Sequence, residues 1–264
     1  MEIIKKTNEP QCLIDIRNKF RQPYKSIDWE KTEHGQLRIY MLKNEQNWHC
    51  AFCGEKFAIE EEVDETDLSK NGYTNKRKQP NNHIDHFVKK ELDVSLIFTY
   101  ENLFVSCNSN NHCARHKDEK LKHLKNKKEA LKINKELIKP TENTSDYIDY
   151  TLNGTPSPKN CISLEYKNRA ELTIEYFNLN CEELKQKKLS VIIPLLFTLK
   201  GIEDFDSFMI ANKNLLDSLP ADYRNSVLLI LDSIKGNIPL LNYYITKLKQ
   251  QDRTKPFGLL KKHN

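Results

Sequence analysis

Two cysteine pairs constrain this chain more than any other feature of its sequence. Cys50 and Cys53 stand in "CAFC", and Cys107 and Cys113 stand in "CNSNNHC". Between the pairs lies "NNHIDHFVKK", Asn81 to Lys90, which places two histidines and an aspartate within four residues of an otherwise strand-like segment. Burying ionisable groups without partners is costly. A strand of this composition therefore calls for a reason beyond packing, and the flanking sulfurs suggest one.

With two residues between them, Cys50 and Cys53 can both reach one metal ion, and the second pair can complete a tetrahedron of thiolates around zinc. The second pair is separated by five residues, wider than the usual spacing. His112 is a candidate to replace Cys113, although a thiolate is the better ligand. The segment between the pairs is too polar to build a core unaided, which favours structural zinc over free core cysteines. The total of seven cysteines is odd and fits poorly with full disulfide pairing. Cys12, Cys161 and Cys181 read as ordinary small apolar residues.

The N-terminus "MEIIKKTNEP" has no apolar core, and the longest apolar run, "VIIPLLF", is far short of the roughly 20 residues that span a bilayer. The expectation is a cytoplasmic protein with reduced thiols and no membrane association. Its 264 residues suit one large domain or two smaller ones. A net charge of +5 is too modest to mark a nucleic-acid binder by itself. Only seven glycines occur, and neither GxxxxGK[ST] nor GxGxxG is present, so the chain carries no nucleotide-binding motif of its own.

The organisation expected is an α+β, mostly helical fold in three parts. Residues 1–46 form an N-terminal helical segment, with Trp29, Leu37, Ile39, Tyr40 and Leu42 as packing residues. Residues 47–135 form the core. In it a knuckle turns at Gly54, and a polar insertion runs from Ala58 to Asn82. The strands "HIDHFV" and "NLFVSC" follow, and then a stretch of helical composition from Ala114 with no internal Gly or Pro. Residues 136–264 form a mainly helical domain. It opens with a break at Pro140 and a strand and turn at "YIDYTLNGTPSP", signalled by Asn153-Gly154. Asn180 is a plausible N-cap for the helix at "CEELKQKKLSVII".

Asp85 and His86 carry the chemistry of the core. A carboxylate is a hard ligand suited to Mg²⁺ or Mn²⁺. An imidazole, with an ordinary pKa of about 6.5, can take a proton from water near neutral pH. The amide of Asn102 can accept and donate at once, and so brace the loop that presents His86. His116, in the first turn of the following helix, can turn back toward the metal. Lys117 can meet a phosphate there, helped by the helix N-terminus, and Arg115 and Lys120 extend the positive surface.

The ordered set "CAFC", "HIDHF", "YENLFVSC" and "CARHK" resembles the cysteine-containing HNH endonucleases, over about 70 residues from Cys50 to Lys120. The resemblance implies a zinc-pinned ββα-metal, treble-clef-like core. In it Cys50, Cys53, Cys107 and Cys113 hold structural Zn²⁺, and Asp85 binds the catalytic Mg²⁺ or Mn²⁺. His86 is the general base and Asn102 the middle asparagine. Many members place a His or Asn immediately after the last zinc cysteine, where this chain has Ala114. His116 is then the second metal ligand expected, with His112 in reserve. Residues Asn168 to Lys188, "NRAELTIEYFNLNCEELKQKK", look like the segment following the core in retron-associated and Septu-type (PtuB-like) HNH proteins. That implies an anti-phage defence effector acting on DNA or RNA beside a PtuA-like ABC/SMC-type ATPase, and possible association with a retron reverse transcriptase and its RNA/DNA.

Two other readings use fewer residues. A non-catalytic zinc-binding module for nucleic acid or protein needs only the four cysteines. A thiol redox protein needs only Cys50 and Cys53, but the βαβ pattern of thioredoxins is missing around them.

Overall fold

The computed structural model describes residues 3–20, 34–58, 81–150, 155–198 and 213–218, with Tyr24, Ile27, Trp29, Thr32, Ile210, Arg224, Leu228 and Thr246 as separate positions. The fold is α+β. Met1–Ile148 together with Pro158–Leu179 forms one compact unit, and Asp149–Ser157 with Asn180–Asn264 forms a second. Most of the polar insertion, the Asn153-Gly154 turn and most of the expected C-terminal helices lie outside the described residues. No helix among the described residues is long and apolar enough to cross a membrane.

The first unit opens with α1 (Gln11–Asn18) and α2 (Gly35–Asn44). In α2 the buried positions are Leu37, Arg38, Met41 and Leu42, the spacing of one helical face. That face packs on β2 (Leu103–Cys107), whose five residues are all buried. Of the packing residues expected here, Trp29, Leu37 and Leu42 are in the core, while Ile39 and Tyr40 are only half-buried.

β1 (Asn82–His86) pairs antiparallel with β2 in the register Asn82 to Cys107, Ile84 to Val105 and His86 to Leu103. Both strands are where the sequence puts them, but β1 stops at His86, before Phe87 and Val88. Phe104, Phe52 and Phe177 pack beneath the hairpin, with the last two rings stacked 4.5 Å apart.

The helical stretch after Ala114 is two helices, α3 (Cys113–Lys122) and α4 (Lys127–Glu136). The break needs neither Gly nor Pro. Asn126 leaves helical geometry and its side chain accepts the Glu129 N–H at 2.9 Å, capping α4. The chain then forms a small ribbon of β3 (Ile148–Tyr150) and β4 (Pro156–Pro158), followed by α5 (Leu164–Tyr176), which packs against α3 and α4.

The second unit holds α6 (Glu182–Thr198) and α7 (Lys213–Ser218). In α6 the Lys185 N–H donates to the Cys181 carbonyl, so the first helical hydrogen bond begins at Cys181, one residue later than an Asn180 cap would place it.

Candidate metal centre and acidic cleft

The four cysteines converge. Cys50 and Cys53 lie in a tight turn closed by Gly54 N–H to Cys50 O at 3.1 Å and Cys50 N–H to Glu55 O at 2.9 Å. Gly54 has a φ of 70°, a left-handed value that glycine adopts without steric cost. Cys107 ends β2 and Cys113 begins α3. All four residues are buried, carry free thiols, and bring their Sγ atoms within 4.8 Å of one another. The Cys107 N–H points at Cys50 Sγ at 3.4 Å. Hydrogen bonds from Cys113, Cys50 and Cys53 hold the Cys107 thiol far below its ordinary value, toward the thiolate a metal takes. Four buried sulfurs on a scaffold of knuckle, strand end and helix start can hold a tetrahedral metal such as zinc.

His112 belongs to this cluster. Its Nδ1 lies 3.0 Å from Cys113 Sγ and 3.7 Å from Cys107 Sγ, and its side chain is fully buried. It also forms a mixed set with Glu55 and Cys107. It stands beside the sulfurs and does not line the cleft at Asp85.

That cleft, of about 370 Å³, is lined by Asp85, His86, His83, Arg115 and Asp118, with Trp29, His34, Ile84, Lys89, Lys90 and Glu91 completing its walls. Asp85 and His83 share one face of β1, two residues apart, and His86 reaches the cleft from the strand end. Burial raises the Asp85 carboxyl above its ordinary range, while the Lys117 ammonium, 3.2 Å from Oδ2, opposes that rise.

His86 is buried against the edge of Trp29, with ring centroids 4.7 Å apart. Its Nε2 faces the Ile97 carbonyl at 3.0 Å. A carbonyl can only accept, so Nε2 carries the hydrogen and Nδ1 keeps the lone pair in the neutral ring. Burial lowers its pKa to about 4, so that neutral ring is the form present at pH 7.

Asn102 clamps the loop that follows β1. Its Oδ1 accepts the Val88 N–H at 2.8 Å, and its Nδ2 donates to the carbonyls of Val88 and Leu96 at 3.0 and 3.2 Å. Its own carbonyl accepts the Phe87 N–H at 2.8 Å.

Helix phase distributes the α3 residues. Ala114, Lys117 and Leu121 face the core. At about 100° per residue, positions 115 and 118 fall on one flank of that face and positions 116 and 120 on the other. Arg115 accordingly reaches the cleft, donating to Asn108 O and Asn110 Oδ1. His116 turns to α5 instead, with Nδ1 donating to Tyr176 O at 2.9 Å, and does not line the cleft. Lys120 pairs with Glu175 on the same side.

Lys117 departs furthest from expectation. Expected at a phosphate, it is fully buried, and its ammonium donates to Asp85 Oδ2, His86 O and Phe87 O at 3.2, 3.1 and 2.9 Å. Burial alone would lower its pKa, but Asp85 and Asp118 outweigh it and the net shift is upward.

The sequence reading missed Asp118, Lys89 and Lys90. The signal for Asp118 was its place four residues after Ala114, one turn along the same helix side. The signal for the lysines was their adjacency to "DHFV". Comparison with known proteins adds no relative: no family model matches the chain, and no curated protein is significantly similar to it.

Proposed function

We propose that the chain is a metal-dependent endonuclease of the HNH kind, hydrolysing phosphodiester bonds in nucleic acid. The observation that carries this reading is the tautomer of His86, held by Ile97 O with its basic nitrogen left over, in the same cleft as a buried carboxylate and three basic side chains.

In this reading His86 Nδ1 takes the proton from the attacking water. A base of low pKa is always free at neutral pH, though weaker for being so. Asn102 keeps the loop after β1 at one distance from His86. Arg115, Lys89 and Lys90 neutralise phosphates flanking the scissile bond. Asp85, a hard oxygen donor, suits Mg²⁺ or Mn²⁺, and such an ion would supply stabilisation of charge on the leaving oxygen. The four cysteines hold Zn²⁺ in a structural role, fixing the strand end and helix start between which the cleft lies.

The likeness of residues 168–188 to the tail of Septu-type and retron-associated proteins supports a defence role beside an ATPase. A nuclease without a nucleotide motif of its own would then take its trigger from that partner. Affinity purification from the native host tests this, and recovery of the chain alone would count against it.

The activity is tested by a Mg²⁺/Mn²⁺ cleavage panel on plasmid, single-stranded DNA and tRNA. His86→Ala should lose cleavage with zinc content and folding unchanged. Cleavage by His86→Ala at the parent rate would remove the mechanism. No metal-dependent cleavage of any substrate, even with an activating partner, would favour a non-catalytic zinc-binding module.

A further inference from the structure

We infer that Asp118 supplies the second carboxylate oxygen to the divalent ion at Asp85, with the Lys117 ammonium setting the two acids in place. The inference rests on the nuclease reading and names a ligand that reading lacks. His116, expected in that role, faces α5, and Ala114 has no donor. Asp118 follows Ala114 by four residues, on the same side of α3, and lines the same cleft as Asp85.

The hydrogen bonding of Lys117 explains why Asp118 is not fully served by it. An ammonium has three hydrogens. Here they go to Asp85 Oδ2, His86 O and Phe87 O. Asp118 Oδ1 lies 3.2 Å from the same nitrogen, buried, yet without a hydrogen bond. It gains the Coulomb attraction of the lysine but no proton from it. Two carboxylates share one positive charge, which leaves one negative charge uncompensated at the wall of a low-dielectric cleft.

The other cations lining the cleft do not balance this charge through printed contacts. Arg115 directs its guanidinium to Asn108 and Asn110, and Lys89 lies 3.9 Å from Glu91. The Asp118 side chain is 27% exposed while Oδ1 is buried, so its exposure lies on its remaining atoms. Asp85, held through Oδ2, has Oδ1 left for the cleft. The pair thus offers one oxygen from each acid, a hard and anionic donor set suited to Mg²⁺ or Mn²⁺.

The test is Mn²⁺ titration of the zinc-loaded full chain, read by the electron paramagnetic resonance of free Mn²⁺. Asp118→Asn should weaken binding at least about tenfold, as loss of a ligand costs no less than loss of an outer-shell partner. Asp118→Glu, which keeps the charge and moves the oxygen by one methylene, should weaken it to a lesser degree, and serves alone if Asp118→Asn does not fold. Glu91→Gln, which removes another acid lining the cleft, should leave the affinity unchanged.

Parent affinity in both Asp118 variants, or in Asp118→Glu where it is tested alone, would overturn the inference. So would a Glu91→Gln loss as large as that of Asp118→Asn, since the effect would then be general charge. If either result accompanies His86-dependent cleavage by the parent, the nuclease reading stands and only Asp118 falls. If the parent neither binds Mn²⁺ nor cleaves, the reading falls and the inference with it.

Discussion

The ammonium of Lys117 lies 3.2 Å from Oδ2 of Asp85, with side-chain exposures of 0% and 5%. An ion pair so placed joins α3 to the end of β1, and each partner depends on the other for its charge. Removing one partner of a buried pair leaves an uncompensated ion. Lys117→Met should therefore destabilise the protein by about 3–5 kcal/mol in urea unfolding. Lys122→Met, on an exposed side chain of the same helix, should lie within about 0.5 kcal/mol of the parent. A small effect of Lys117→Met would mean that the pair is not buried in solution.

His86 makes stability depend on pH in a definite direction. Its folded pKa, about 4, lies below the ordinary 6.5, so the unfolded chain binds the proton more readily. Its contribution is therefore complete above pH 6.5 and is lost as the pH falls toward 4. A gap of that size corresponds to about 3 kcal/mol. The difference in unfolding free energy between the parent and His86→Gln should shrink by about that amount between pH 7 and pH 4. A constant difference would mean that His86 titrates at its ordinary value and is open to water.

The parts of this site differ in how far they can be read from sequence. The cysteine cluster was legible because its first pair is local and its partners lie at the end of one strand and the start of the next helix. The strands were legible from short apolar runs. The split between α3 and α4 was missed because only Gly and Pro were counted as breakers, although Asn126 and Glu129 have the spacing of a cap.

Helix phase was the larger obstacle. His116 and Lys117 are neighbours in sequence, but which of them faces the cleft depends on which side of α3 is buried. Lysine is rarely buried, so Lys117 read as a surface contact. It is buried here because one carboxylate and two carbonyls meet its three hydrogens, and no local pattern announces that. Lys89 and Lys90 reach the cleft through the path of the loop after β1, which sequence periodicity does not describe.

Asn102 should prove costly to replace. Asn102→Ala removes three hydrogen bonds and leaves the Val88 N–H and two carbonyls without their partner. The expected loss is about 2–4 kcal/mol, since orphaning partly buried polar groups carries their desolvation cost. Asn102→Asp keeps the acceptor for Val88 N–H but sets a carboxylate against two carbonyls, and should be no better. Amide exchange at Val88 should accelerate in both variants. Unchanged exchange would show that the loop holds its shape without Asn102.

The identity of the metal ligands at the cysteine cluster can be separated from the role of His112. Four sulfurs lie mutually within 4.8 Å, while His112 Nδ1 lies 3.0 Å from Cys113 Sγ. That contact is what an imidazole makes as a hydrogen-bond donor to a ligating thiolate. X-ray absorption at the zinc edge should then return four sulfurs and no nitrogen. Cys53→Ser should lose bound zinc and the cooperative unfolding of the first unit, because metal binding and folding are one equilibrium at a structural site. Cys161→Ser, at an exposed position away from the cluster, should change neither. His112→Ala should keep the sulfur count but release zinc to a chelator at about tenfold lower concentration. A first shell of three sulfurs and one nitrogen would make His112 the fourth ligand. Cys113 would then be the dispensable residue, and Cys113→Ser would retain zinc.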